Sequence, residues 1–181
     1  MTRFLFACDS FKGTISSARS AELLAEEASP FFPDATFDSL EVADGGEGTV
    51  DALVASLGGE RVTLTVSDPL GRPVETSYGL LPGGLAVIEM AAASGLPLLS
   101  LAERDPRLTS TYGTGELIAD AIARGVSDIT LAIGGSATND CGMGAMRALG
   151  ARFLDESGAE LAGTGSDLAR VDSIDLSGMD G

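Results

Sequence analysis

Polar, glycine-containing turns interrupt this sequence where an apolar run ends and a helix-patterned segment begins, and that alternation limits the fold more than any other feature. Arg3 to Cys8 reads as a short strand, apolar on both faces, as expected in a parallel sheet. Asp9 to Thr14 is a turn. Ser16 to Ala28 has helical spacing, with Ala18, Ala21, Leu24 (or Ala25) and Ala28 on one face and Ser16 or Ser17 as N-cap. Pro30 and Pro33 close that region, Thr36 to Val42 makes a second strand, and Asp44 to Thr49 a second turn. Val50 to Leu57 continues as a helix stopped by Gly58 and Gly59. A parallel sheet with right-handed crossovers satisfies this order and puts both turns at the carboxyl edge, where open α/β sheets bind ligands.

From Arg61 the pattern shifts. Arg61 to Val66, Val74 to Leu80 and Leu85 to Met90 are β-rich and separated by Asp68-Pro69-Leu70-Gly71 and Pro82-Gly83-Gly84, the pattern of a meander. Ala91 to Leu101 is a small-residue helix or loop. Gly115 to Arg124 is a helix with Leu117, Ile118, Ala121 and Ile122 toward the core. Ile129 to Ile133 is expected as a buried strand, Cys141 to Leu149 as a helix and Arg152 to Leu154 as a short strand, while the chain beyond Gly163 shows no period. The expected division is an α/β unit over residues 1–60 and a second α/β unit over 61–181.

Composition removes several kinds of function. The chain of 181 residues holds 11 Lys plus Arg against 27 Asp plus Glu, a net charge of −16 that would repel a nucleic-acid backbone or an anionic membrane. A small phosphorylated ligand is still compatible, because a few N–H groups, one Lys and Mg²⁺ act locally. No apolar run is long enough to cross a bilayer, and Phe4-Leu5-Phe6 is too short for a signal core and is followed at once by Asp9. Histidine is absent, which excludes a Ser-His-Asp triad and any His-based zinc site and leaves proton transfer to carboxylates or lysine. Cys8 and Cys141 lack metal or redox spacing and suit a reducing cytoplasm.

Three turns carry the chemistry. The first, Asp9-Ser10-Phe11-Lys12-Gly13-Thr14, contains the chain's one lysine, a compact point charge suited to a single phosphate oxygen. Backbone N–H groups before a helix, here around Ser10 and Gly13, also attract anions, although no P-loop pattern is present. The second, Asp44-Gly45-Gly46-Glu47-Gly48-Thr49, sets two carboxylates among glycines. Asp44 and Glu47 fit Mg²⁺, which takes one or two carboxylates plus phosphate oxygens, and Gly45 and Gly46 allow close ligand approach. The third, Gly134-Gly135-Ser136-Ala137-Thr138-Asn139-Asp140, offers backbone, hydroxyl and amide groups for a polyhydroxy acid or a transferring phosphoryl group, or else Thr138 or Asn139 as a helix cap. Tyr112 to Glu116 is a fourth polar turn, a cap or a ligand contact, and Arg72, Arg104 and Arg107 are surface arginines that could clamp a carboxylate. An aspartyl-phosphatase arrangement at Asp9 would need a carboxylate at position 11, where Phe11 stands.

Together these stretches resemble the bacterial glycerate kinase family, which phosphorylates D-glycerate with ATP. The resemblance rests on Asp9-Ser10-Phe11-Lys12-Gly13, Ala43 to Gly48, Asp68 to Pro73, Glu89-Met90-Ala91 with Ser94-Gly95-Leu96, Thr111 to Leu117, and Gly134 to Asp140, in family order. It implies two α/β domains, one flavodoxin-like, with the active site between them, and ATP, Mg²⁺ and D-glycerate as ligands with 2-phosphoglycerate as product. On that basis Lys12 neutralises a phosphate oxygen, Asp44 or Glu47 holds Mg²⁺, Ser136, Thr138 and Asn139 orient phosphate or glycerate, and Asp9, Asp44 or Asp140 accepts the hydroxyl proton. Family members are longer, and this chain corresponds to their first half, so a binding fragment without catalysis is the alternative expectation. Thr14 and Cys141 stand where Ser and Gly are common in the family. An incomplete parallel sheet would leave an apolar edge, so self-association into a homo-oligomer is expected as well.

Overall fold

The computed structural model describes residues 2–9, 11, 14–40 and 45–179. Its first sheet is a parallel pair, β1 (Arg3–Phe6) and β2 (Thr36–Ser39), with Phe4 opposite Phe37. Both strands are shorter than expected, and the predicted continuation to Val42 lies outside the described residues. Helix α1 (Ser17–Ala28) connects them, and the Ser16 side chain accepts a hydrogen bond from the Arg19 N–H at 3.2 Å, the expected N-cap. The Phe4 ring lies 4.8 Å from that of Phe32 and 5.4 Å from that of Phe37, so aromatic contacts supply much of the packing here.

The second sheet has four strands in the order β3 (Glu60–Ser67), β4 (Pro73–Leu81), β5 (Leu85–Glu89), β6 (Asp128–Ala132). The first three form the expected antiparallel meander, and β6 adds parallel to β5, with Glu89 opposite Ala132. The near-continuous apolar run of β5 is explained by cover on both faces. Ala86 and Ile88 pack with Val62, Val66, Tyr78 and the buried Leu117 and Ala121 of α4 (Tyr112–Ala123), while Val87 packs with Leu81 and with Val50, Leu53 and Val54 of α2 (Thr49–Leu57). Helix α2 therefore lies on the second sheet, although it precedes residue 60 in the chain. Each fully buried large aliphatic side chain in this core contributes about 1.5–3 kcal/mol.

Tyr78 is buried, and its hydroxyl donates to Asp120 Oδ2 at 2.8 Å. Burial first, and the Asp120 carboxylate second, push the phenol up to about 12. Burial alone would raise Asp120, but hydrogen bonds from Arg124 and Tyr78 outweigh it and hold the carboxyl below its ordinary value.

Four elements depart from expectation. Strand β6 is largely exposed rather than buried, because among the described residues it is an edge strand with β5 as its one neighbour; Ile133 just beyond it is 71% exposed. Helix α4 begins at Tyr112 instead of Gly115, so the fourth polar turn is the first turn of a helix. Helix α5 (Met143–Ala148) begins two residues late. The region past Gly163, aperiodic in sequence, forms a 3₁₀ segment (Gly165–Arg170) and β8 (Ser173–Asp175), which pairs antiparallel with β7 (Arg152–Leu154). Ion pairs and local carboxylate caps hold that segment: Asp167 accepts from the Gly163 and Thr164 N–H groups and from Arg170. Among the described residues no helix is long and apolar enough to cross a membrane.

Helix α3 (Ala91–Ser94) directly follows β5, with Met90 as the single residue between them.

Candidate functional site

Parallel pairing decides where the turns go. Strands β5 and β6 run together, so the segment after Glu89 and the turn after Ala132 leave from one sheet edge. They remain joined beyond the strands: Met90 N–H donates to Ala132 O at 2.8 Å, Leu96 N–H to Gly135 O at 3.0 Å and Ala137 N–H to Ser94 O at 2.9 Å. The turn after β2 is brought to the same edge, since Gly134 N–H donates to Gly45 O at 2.8 Å. The approach is backbone against backbone. A Cβ at position 134 would lie 2.7 Å from Gly46 Cα and 2.8 Å from Gly45 O, so only glycine fits.

This contact unites two of the three sequence-predicted turns. Gly45 and Gly46 stand against Gly134, Gly135 lies beside Ala91, and Glu47, next in the second turn, is exposed. The Thr49 hydroxyl donates to Gly46 O at 2.8 Å and closes the second turn. Of the first turn, Asp9 is exposed, three residues past the end of β1. Ser10, Lys12, Gly13 and Asp44 lie outside the described residues. Among the described residues no three acidic or cysteine side chains gather at metal-holding distance. An all-protein cage is therefore not built from them, whereas Mg²⁺ held by one or two carboxylates and phosphate oxygens makes no such demand, so the exposed Glu47 carboxylate fits that ion.

The third turn has internal order. Ser136 Oγ accepts from the Thr138 N–H at 3.0 Å and lies 2.8 Å from Thr138 Oγ1, which pairs the two hydroxyls on one half-buried surface; Asn139 beyond them is exposed. Neither Thr138 nor Asn139 caps α5, whose N-cap is Gly142 with no side-chain bond. The capping work falls to Asp140. Its carboxylate is buried and receives Thr111 N–H at 2.7 Å, Thr111 Oγ1–H at 2.9 Å, Gly144 N–H at 3.1 Å and Gly142 N–H at 3.1 Å. One side chain thereby binds the N-termini of α4 and α5.

Several groups with no role assigned from sequence support this edge. Glu89 Oε1 accepts from the Val50 N–H in the first turn of α2 at 2.8 Å. Ser94 Oγ and Thr114 Oγ1, both buried, lie 2.7 Å apart and join α3 to α4, and Glu116 accepts from the Ser67 N–H at 2.6 Å. A signal for Glu89 was present, since it is the one charged residue ending the apolar run Leu85 to Ile88. Gly115 lets α4 and α5 touch: a Cβ there would lie 2.4 Å from Ala145 O.

The arginines read as carboxylate clamps bind the chain's own groups. Arg72 pairs with Asp68 at 2.6 Å and Glu103 at 2.7 Å, Arg107 with Asp105 at 2.6 Å, and Arg104 donates to the Leu99 and Leu96 carbonyls. The Asp105 carboxyl is lowered to about 2 by hydrogen bonds from the Arg107 side chain and backbone. A separate cavity of ≈ 360 Å³, lined in part by Ser67, Gly71, Ser110, Tyr112, Arg147 and Thr164, opens at the first turn of α4, and neither Gly45, Gly46, Gly134 nor Gly135 lines it.

The sequence profile of the Glycerate kinase family matches residues 4–181. A glycerate kinase of Bacillus subtilis (strain 168) is 46% identical over 179 residues, which are 98% of this chain and 47% of that protein. A glycerate 2-kinase of Escherichia coli (strain K12) is 44% identical over 179 residues, again 98% of this chain and 47% of the relative. A solved structure from Salmonella typhimurium LT2, described as a glycerate kinase 2, superposes with a TM-score of 0.81 at 45% identity, covering 99% of this chain and 48% of that one. The chain thus spans about half the length of the curated relatives it matches.

Proposed function

Because the chain belongs to the glycerate kinase family, we propose that it takes part in transfer of the terminal phosphoryl group of ATP to a hydroxyl of D-glycerate, giving 2-phosphoglycerate. The observation that carries the reading is the backbone contact between Gly45 and Gly134, which brings an acidic glycine turn and a hydroxyl-rich glycine turn to one sheet edge. Phosphoryl transfer asks a protein mainly for position and charge compensation, and these turns supply both. Gly45, Gly46, Gly134 and Gly135 offer backbone to the phosphates and to glycerate, and Ser136, Thr138 and Asn139 offer polar side chains. Glu47 and Asp44 are the residues that would hold Mg²⁺, which would supply charge neutralisation for the phosphates. Lys12, with Ser10 and Gly13 beside it, compensates charge on a transferring or bridging oxygen.

Asp140 has a different part from the one expected of a base. Its carboxylate is saturated by four donors, so it braces two helices, and proton acceptance falls to Asp9 or Asp44. The two units expected at residues 1–60 and 61–181 flank the site, with α2 packed on the second of them. The reaction is cytoplasmic on this reading, and ATP as donor together with free thiols at Cys8 and Cys141 supports it.

The test is ADP release by this chain with Mg²⁺ and ATP, with and without D-glycerate, with ³¹P NMR of the product. Glycerate-dependent release is expected, and Lys12→Ala should lower it by about 10²–10³-fold, the usual effect of deleting one electrostatic contact. A folded chain that neither releases ADP nor binds Mg·ATP or D-glycerate would overturn the proposal.

A further inference from the structure

We propose that Glu89 is a positioning residue that fixes the Gly45–Gly48 turn against the Gly134 turn; the inference rests on the reading above that these turns hold the phosphoryl group. Helix α2 has Gly48 as N-cap and no side-chain cap of its own. The missing acceptor comes from across the sheet, as Glu89 Oε1 receives the Val50 N–H at 2.8 Å from 39 residues away in sequence. A carboxylate in that place also compensates the helix dipole, so the protein itself fills the anion position at the start of α2.

The geometry gives the turn two anchors on neighbouring strands. Gly45 O is held by the Gly134 N–H, just past β6, and Val50 N–H by Glu89, at the end of β5, where Glu89 and Ala132 are register partners. Between the anchors, the Thr49 hydroxyl closes on Gly46 O. With Glu89 removed, the anchor at the start of α2 is lost, and the turn loosens on its Val50 side. Glu89 acts through Val50 and needs no contact with substrate.

Glu89→Ala and Glu89→Gln separate this role from general stability. Amide hydrogen exchange is measured over residues 45–52 and over β3–β5, and Mg·ATP affinity by calorimetry. We expect Glu89→Ala to speed exchange at Val50 and its turn by about tenfold beyond any change in β3–β5, the scale of one lost charge-assisted bond, and to weaken Mg·ATP binding by a similar factor. Glu89→Gln keeps an acceptor oxygen and should stay within about threefold of the parent in both, because a neutral bond is roughly half as strong. Unchanged exchange in Glu89→Ala, exchange that rises only in step with β3–β5, unaltered Mg·ATP affinity despite faster exchange, or no rescue by Gln would each overturn the proposal. If the parent chain binds no Mg·ATP, the functional reading fails, and exchange alone still decides whether Glu89 fixes the turn.

Discussion

Replacing Asp140 by Asn separates a brace from a base. Three donors converge on Oδ2 (Thr111 N–H, Thr111 Oγ1–H and Gly144 N–H), and Gly142 N–H addresses Oδ1. An amide keeps one acceptor oxygen. If that oxygen takes the Oδ2 position, three charge-assisted bonds of about 1.5–3 kcal/mol become neutral ones of about 0.5–1.5 kcal/mol, a loss of about 1 kcal/mol each. The amide NH₂ then faces the Gly142 N–H, donor against donor, for about 1–2 kcal/mol more. Against this stands the smaller cost of burying an amide than a carboxylate. The net loss should be about 2–4 kcal/mol. Thr111 couples into the same network, since its hydroxyl also accepts the Ala145 N–H at 2.9 Å, so the damage reaches α5. Urea unfolding followed by far-UV circular dichroism measures it, with the slope m checked for constancy. In a chain of this size the thermal midpoint should fall by roughly 4–16 °C. Asp140→Asn that unfolds at the parent urea concentration, yet is catalytically dead, would refute the bracing argument and return Asp140 to the role of base.

Two further outcomes follow from contacts described above. Gly134→Ala drives a Cβ into Gly45 and Gly46, 2.7–2.8 Å away with backbone on both sides, and should cost about 1–3 kcal/mol as overpacking; a stability equal to the parent in the same urea titration would show that the two turns do not hold each other. Tyr78 ionises about two pH units late, from 10.0 to about 12. Because the folded pKa is the higher one, stability is fully present below pH 10 and declines between pH 10 and 12, by about 2–3 kcal/mol in all. Ultraviolet titration of the phenolate together with unfolding at each pH checks this, and stability flat across that window would contradict it.

Much of the sheet edge was legible because its signals are local. The Ser16 cap, the meander from Glu60 to Glu89, and the glycine turns after β2 and β6 all follow from residues within a few positions of one another. What was not legible depends on neighbours distant in sequence. The apolar pattern of Ile129 to Ile133 reads as buried, yet β6 is exposed because nothing among the described residues pairs with its outer edge. Tyr112 to Glu116 looks like a turn because its glycines suggest one, whereas they are there to admit close neighbours such as Ala145 of α5. Asp140, Glu89 and Arg72 each bind a partner far off in sequence, Thr111, Val50 and Glu103 at 29, 39 and 31 residues, and no local pattern announces those bonds.

The β1–β2 pair has a consequence for how the protein opens. It buries little beyond its phenylalanine rings, and only Ser20 and Ala21 of α1 are fully buried, while the second sheet is covered on both faces. Opening free energy therefore differs along the chain, and the first β–α–β unit should exchange its amides through a sub-global event well below the global one. A ligand that touches the turn leaving β1 would raise protection there by RT ln(1 + [L]/Kd), without altering the core, so occupancy of the site should be readable as a local gain in folding cooperativity.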